Sequence, residues 1–176
     1  DKGEKPIGKY QMVSLDLGKT TSVAGTGLSV LPFELSHTKD YKSSAVLVGS
    51  QNQYLLYLGD TGADRIEKSQ NLNTLWQSIA PLIKNKQLKA IMIEVSFPNA
   101  QPENLLFGHL TPNLLTEELT KLSALVGKKS MAGLQIVVTH LKPSGENIDI
   151  IKKELQQNNP LQLQYVFPAQ GSKISF

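Results

Sequence analysis

The sequence predicts a mixed α/β fold, on the border of the α/β and α+β classes, with helices packed on a mixed sheet. Three observations carry that expectation. Strand-like stretches crowd the first third of the chain, helical spacing of apolar residues begins only near Leu72, and from there helical and strand-like stretches alternate. The chain has 176 residues, enough for one domain with its own core.

The elements follow in order. Residues 1–9 are polar and carry Gly3, Pro6 and Gly8, which reads as a flexible lead-in. Residues 10–17 alternate loosely and read as a strand, and 18–27, rich in Gly, Thr and Ser, as a turn or loop. Residues 28–35 are strand-like. Two short apolar strands, 44–48 and 53–58, flank Gly49-Ser50-Gln51-Asn52, a hairpin signal. Leu72, Leu75, Trp76, Ile79, Leu82 and Ile83 then recur at helical spacing. Residues 90–95 form an apolar run short enough for a buried strand. Thr111-Pro112 reads as an N-cap followed by proline at the first helical position. Leu115, Leu119, Leu122 and Val126 continue that helix, and Gly127 ends it. Residues 134–139 are another buried strand. Residues 144–158 place Ile148, Ile151 and Leu155 on one helical face, and 162–166 close the chain as a last strand.

Composition excludes several classes of function. Hydrophobic residues make up 40% and charged residues 19%, which argues against disorder of the chain as a whole. The net charge is +3, from 18 Lys+Arg against 15 Asp+Glu, and it is scattered. The pairs Lys128-Lys129 and Lys152-Lys153 read as solvated surface, so nucleic acid is not the expected partner. Without cysteine there are no disulfides, no thiol catalysis and no thiolate metal site. That leaves periplasm and cytoplasm both open. No apolar run approaches the roughly 20 residues of a membrane span, and no signal peptide is visible. The chain starts at Asp1, which reads as a processed terminus, a chosen boundary or the interior of a longer protein.

Chemistry-bearing residues are few. His37 and His140 each directly follow a strand-like run, and Asp60 follows another in Tyr57-Leu58-Gly59-Asp60-Thr61-Gly62. Loops at strand ends are where α/β proteins place their sites, and imidazole and carboxylate are zinc ligands. His109 lies in a loop before a helix start. Taken singly, each histidine is more often a surface or capping residue than a ligand, and Gly59-Asp60-Thr61-Gly62 is a common turn. Glu94 sits inside the apolar run Ile91-Met92-Ile93-Glu94-Val95. Either it lies at the strand end and faces solvent, or it is buried and pairs with a histidine; an unpaired buried carboxylate is costly. Lys142, two residues after His140, is a surface lysine or a phosphate contact. There is no G-x-G-x-x-G, no Walker A loop, and Ser43-Ser44 lacks the glycines of a nucleophile elbow.

Several of these stretches together resemble the class II cyclic-nucleotide phosphodiesterases of the metallo-β-lactamase superfamily. They are Leu35-Ser36-His37, Tyr57 to Asp64, Ile93-Glu94-Val95-Ser96-Phe97, Leu106-Phe107-Gly108-His109-Leu110-Thr111-Pro112, and Val138-Thr139-His140-Leu141-Lys142-Pro143. Their order matches the family across about residues 30–143, and Pro168-Ala169-Gln170-Gly171 resembles its C-terminal end. The resemblance implies that His37, Asp60 and His140 are metal ligands, with Asp60 bridging two divalent ions, most naturally zinc. It implies that His109 is the proton donor and Glu94 its partner, as in the RNA-cutting relatives of the superfamily. It further implies hydrolysis of 3′,5′-cyclic AMP or cyclic GMP to the 5′-nucleotide by a hydroxide activated between the two metals. Phe97, Leu105, Leu106 and Phe107 are candidates for an adenine slot, each with a core role as its ordinary explanation.

The family's H-x-H-x-D-H signature belongs to its N-terminal half, and no such motif occurs here. Residues 1–176 are therefore expected to form the C-terminal half of an αββα sandwich, with low metal occupancy and no catalysis by this chain alone. Its expected partners are a cyclic nucleotide and either its missing N-terminal half or a second copy. Two rivals stand beside this reading: another hydrolase of the same fold, acting on RNA ends or an ester, and a degenerate domain that only binds.

Overall fold

The computed structural model describes residues 12–38 and 41–176. The lead-in expected at 1–9, and the first two residues of the strand expected at 10–17, lie outside the described residues. Residues 12–17 form no strand, which corrects that part of the expectation. The first strand instead falls in the stretch read as a loop. There β1 (Thr21–Val23) pairs with β2 (Leu28–Ser36) across a glycine turn. Its residues are mostly exposed, so they carry none of the apolar patterning that marks a strand in sequence.

The next hairpin joins β3 (Lys42–Ser50) to β4 (Gln53–Leu58) through two residues only. Gln51 and Asn52 both take left-handed backbone, with φ of 47° and 66°, the conformation whose twist suits a tight hairpin. The strands are correspondingly longer than the apolar runs within them. After β4, each strand is reached through helix. A short α1 (Asp64–Glu67) and α2 (Asn71–Lys84) lead to β5 (Leu88–Glu94). Then α3 (Pro112–Val126) and α4 (Lys128–Met131) lead to β6 (Gln135–Thr139), and α5 (Asn147–Gln157) to β7 (Gln164–Val166).

The seven strands lie in sequence order. Those from β1 to β4 pair antiparallel, and those from β4 to β7 pair parallel. One consequence governs the site. Two antiparallel steps restore direction, so β2 runs the same way as β4, β5, β6 and β7. The C-terminal ends of those five strands therefore share one edge of the sheet.

Strand alternation sorts the side chains onto two faces. Leu35, Ala45, Leu47, Leu56, Leu58, Ile91, Ile93, Ile136 and Val138 join the helices in one continuous core. On the helix side that core holds Leu72, Leu75, Trp76 and Ile79 of α2, Leu115, Leu119 and Leu122 of α3, and Ile151 and Leu155 of α5. The opposite face is apolar too. Pro32, Val46, Tyr57, Met92, Val137 and Val166 form one cross-strand row. No described helix packs into that row, and Tyr57 on it is 48% exposed.

Candidate active site

The shared strand edge gathers the residues singled out in sequence. His37 follows β2, Asp60 follows β4 by two residues, Glu94 is the last residue of β5 and His140 follows β6. His109 reaches the same place from the loop before α3.

Glu94 organises the cluster. It is only 1% exposed, so the solvent-facing alternative is excluded. Its Oε1 accepts the Thr61 backbone N–H at 3.0 Å and stands 2.6 Å from His109 Nδ1. Its Oε2 accepts the Ser96 hydroxyl at 2.7 Å and the Leu110 backbone N–H at 3.3 Å. The carboxylate already serves three other donors, so His109 Nδ1 carries the proton of their bond, leaving Nε2 free. The Thr61 bond also ties the Asp60 loop to β5.

His37 is held in the same manner. Its Nδ1 lies 3.0 Å from the Gly108 carbonyl oxygen, which only accepts, so Nδ1 donates and Nε2 is free. Gly108 must be glycine here. Its φ is +78°, and a Cβ would stand 2.7 Å from His37 Nδ1 and run into the Thr38 amide. Ligand atoms of His37, Asp60 and His109 all lie within 4.8 Å of one another. His140, with a left-handed backbone at φ +53°, completes the cluster from the other side, its Nε2 3.6 Å from Asp60 Oδ2. Ring centroids of His109 are 4.8 Å from His37 and 5.2 Å from His140.

This donor set fits a divalent metal. Three imidazoles and a carboxylate converge, and two of the imidazoles are oriented through their other nitrogen by a carbonyl or a carboxylate, as metal-bound histidines are. The tightest group of three includes His109 and not His140, whereas the sequence reading set His109 apart from the ligands.

Several functional neighbours were missed in sequence. Glu67 folds over Gly62, where a Cβ would run into its carboxylate. Burial pushes the Glu67 carboxyl above its ordinary value, while His37, His109 and the Thr38 amide pull the other way. Asp64 is buried and caps α2, accepting the Leu72 and Asn73 amides at 3.1 and 2.8 Å. Its own amide donates to buried Glu118 on α3 at 3.0 Å, fixing the far end of the Asp60 loop. A carboxylate within a Gly/Thr turn signals a cap only once the fold has brought the next helix to it. Lys142, expected as a surface lysine or a phosphate contact, is half-buried. Its ammonium lies 4.5 Å from the centroid of Phe97, whose ring meets His109 edge-on at 5.9 Å. Of the adenine-slot candidates, Leu106 is buried core, but Leu105 is exposed and Phe107 is 64% exposed, which corrects their expected core role.

Comparison with known proteins decides the family. The profile of the cAMP phosphodiesterases class-II matches residues 5–165. The chain belongs to this family. A 3′,5′-cyclic-nucleotide phosphodiesterase of Aliivibrio fischeri is 41% identical over 181 residues, covering 100% of this chain and 55% of that protein. One from Schizosaccharomyces pombe is 36% identical over 144 residues, covering 74% of this chain and 41% of its own length. The chain thus spans about half the length of the curated relatives it matches. Unliganded yeast PDE1 superposes with a TM-score of 0.78 at 25% identity, over 89% of this chain and 48% of that one. YhfI of Bacillus subtilis, a metallo-β-lactamase fold protein, gives 0.56 at 14% identity, over 88% and 52%. The class-II phosphodiesterase chain therefore has the metallo-β-lactamase fold, and in the described residues no helix is long and apolar enough to cross a membrane.

Proposed function

We propose that this chain supplies the strand-edge half of a metal-dependent 3′,5′-cyclic-nucleotide phosphodiesterase, releasing the 5′-nucleotide. The observation that carries the reading is the buried Glu94–His109 pair set beside His37, Asp60 and His140 on one edge. The activity for which the relatives are named agrees with it.

His37, Asp60 and His140 would hold a pair of divalent ions, zinc by donor preference. Bound there, the ions supply Lewis-acid stabilisation of the phosphoryl group and acidify the attacking water. The protein's own part is positional and protonic. Glu94 holds His109 by Nδ1–H and aims Nε2 into the cluster; as the imidazolium, protonated on both nitrogens, His109 gives its Nε2 proton to the departing 3′ oxygen and is left as the neutral Nδ1–H form. The Gly108 carbonyl holds His37 in the tautomer that can ligate. The Glu94–Thr61 bond fixes the loop carrying Asp60. A second role for His109, as a ligand, is favoured by its place in the tightest donor group.

The apolar sheet face opposite the helices, on which Tyr57 is 48% exposed, is the proposed seat of the remaining ligand-bearing half of the sandwich. The test is hydrolysis of 3′,5′-cyclic AMP by the assembled protein, with and without chelator. The proposal expects 5′-AMP as the product and loss of activity on chelation, restored by zinc. A 3′-AMP product, or activity indifferent to chelator, overturns it.

A further inference from the structure

We propose that a lysine-ringed hollow at the far end of the sheet is a second binding site, for a compact polyphosphate anion. It encloses about 340 Å³ between the C-terminal turn of α2, the start of β5, α4 and the start of β6. That lies at the small end of the roughly 300–1,000 Å³ of small-molecule pockets. Leu88 opens β5 at the hollow and Glu94 closes it at the candidate active site. At about 3.3 Å per residue the two sites stand about 20 Å apart.

Charge dispersed in sequence is gathered here by the fold. Residues 84–90 and 127–135 carry Lys84, Lys86, Lys89, Lys128 and Lys129 and no Asp or Glu. Setting these five aside leaves 13 of the 18 basic residues against all 15 acidic ones, a net −2 elsewhere. All of the five but Lys128 line the hollow. Among the described residues none of the five is in an ion pair, whereas Lys19, Lys42, Lys121 and Lys152 are. Complementing the carbonyl end of α2 accounts for Lys84. It does not account for Lys89 on β5 or Lys129 on α4. Lys89 is the extra residue where β4 and β5 shift register, a place where a side chain is re-aimed. Its ammonium lies 3.5 Å from the Lys86 carbonyl oxygen, which keeps the two lysines on one rim. Cations gathered in a hollow without counter-charge concentrate anions there.

The lining selects among anions. Its large apolar members, Ile83, Leu88 and Leu134, are buried core, so the hollow offers no apolar anchor to a lipid surface. No aromatic ring lines it, so it lacks the stacking platform that single-stranded nucleic acid uses. What remains is ammonium groups on several elements and the Ser130 hydroxyl, all donors to phosphoryl oxygens. A lysine meets phosphate as a point charge, so four of them suit several linked phosphates better than one.

Titration with a defined polyanion tests this. In ¹⁵N NMR of the full chain at about 0.15 M KCl, sodium tripolyphosphate should shift the amides of Lys84, Lys89, Lys129 and Gly133 saturably. Inorganic phosphate should bind at least about tenfold more weakly. Lys89→Gln and, separately, Lys129→Gln should each raise Kd for tripolyphosphate about tenfold, the scale of one lost charge-assisted contact, while Lys129→Arg stays within about threefold. Lys153→Gln removes the same charge from an exposed position on α5 and should change Kd by less than about twofold. No shifts, shifts centred on His37 and His140, or an equal loss in Lys153→Gln overturn the site. Co-sedimentation with phosphatidylserine vesicles by a chain that ignores tripolyphosphate would make the patch a lipid contact and overturn it too.

Discussion

Replacing Glu94 by leucine tests the network on which the site is built. The carboxylate accepts from four groups: the Thr61 and Leu110 amides, the Ser96 hydroxyl and His109 Nδ1. In Glu94→Leu the Ser96 hydroxyl can turn fully to the His140 carbonyl, which it already approaches at 3.3 Å. The two backbone amides have no such escape. An orphaned buried donor costs about 1–3 kcal/mol, so the pair costs about 2–6 kcal/mol, and the leucine's own burial offsets part. The expected net loss is about 2–4 kcal/mol, read as a fall of about 1–2 M in the urea midpoint. Glu94→Gln keeps one oxygen for two donors and should lose about half as much. The opposing effect is real, because hydrophobic replacement of buried charge can stabilise a protein. An unchanged or raised midpoint for Glu94→Leu, or a glutamine variant weaker than the leucine one, refutes the reasoning.

Other perturbations address other parts. Gly62 has ordinary backbone, so Gly62→Ala should fold, but its methyl must displace the Glu67 carboxylate. Gly62→Ala and Glu67→Gln should therefore weaken Co²⁺ binding alike, by about tenfold, and unequal effects would show that Glu67 does not act through that position. Burial pushes Tyr165 up to about 12. The sign follows: its neutral form is favoured in the fold, and the stability this contributes is complete below the unfolded value of about 10 and lost as pH climbs through about 12. Phenolate absorbance should show one of the five tyrosines titrating late, and a single transition near 10 would contradict the burial. On the face opposite the helices, exposed Tyr57→Lys should change the stability of this chain by less than about 0.5 kcal/mol yet abolish assembly with the complementary half. A large stability loss would mean that this face is already packed.

The parts legible in sequence were those whose signal is local. The helix at Leu72–Ile83 announces itself by spacing. Thr111 caps α3 by accepting the Leu114 amide, and Gly127 ends it with φ +88°, as their residue types predict. The strand-end placement of His37, Asp60 and His140 followed from the apolar runs before them. What sequence alone left open was anything decided by partners. Glu94 in an apolar run reads equally as exposed or buried until four donors are seen around it. Asp64 and Glu118 are 54 residues apart and meet only because α2 and α3 pack together. Short, solvent-facing β1 has no pattern to read. Phe107 and Leu105 were expected in the core because apolar residues there usually are. A left-handed Phe107 at φ +51° instead leaves its ring outside.

The measurement closest to the central claim sets rate beside metal content for His109→Ala and Asp60→Ala in the assembled protein. Losing a general acid slows chemistry by about 10²–10⁴-fold, whereas losing a ligand also removes the ion. His109→Ala should hydrolyse cyclic AMP at least about 100-fold more slowly with its zinc stoichiometry unchanged. Asp60→Ala should lose zinc and activity together. If His109→Ala sheds zinc, the histidine is a ligand, as its closeness to His37 and Asp60 allows; if its rate stays intact, the Glu94–His109 pair is structural and the general-acid assignment is wrong.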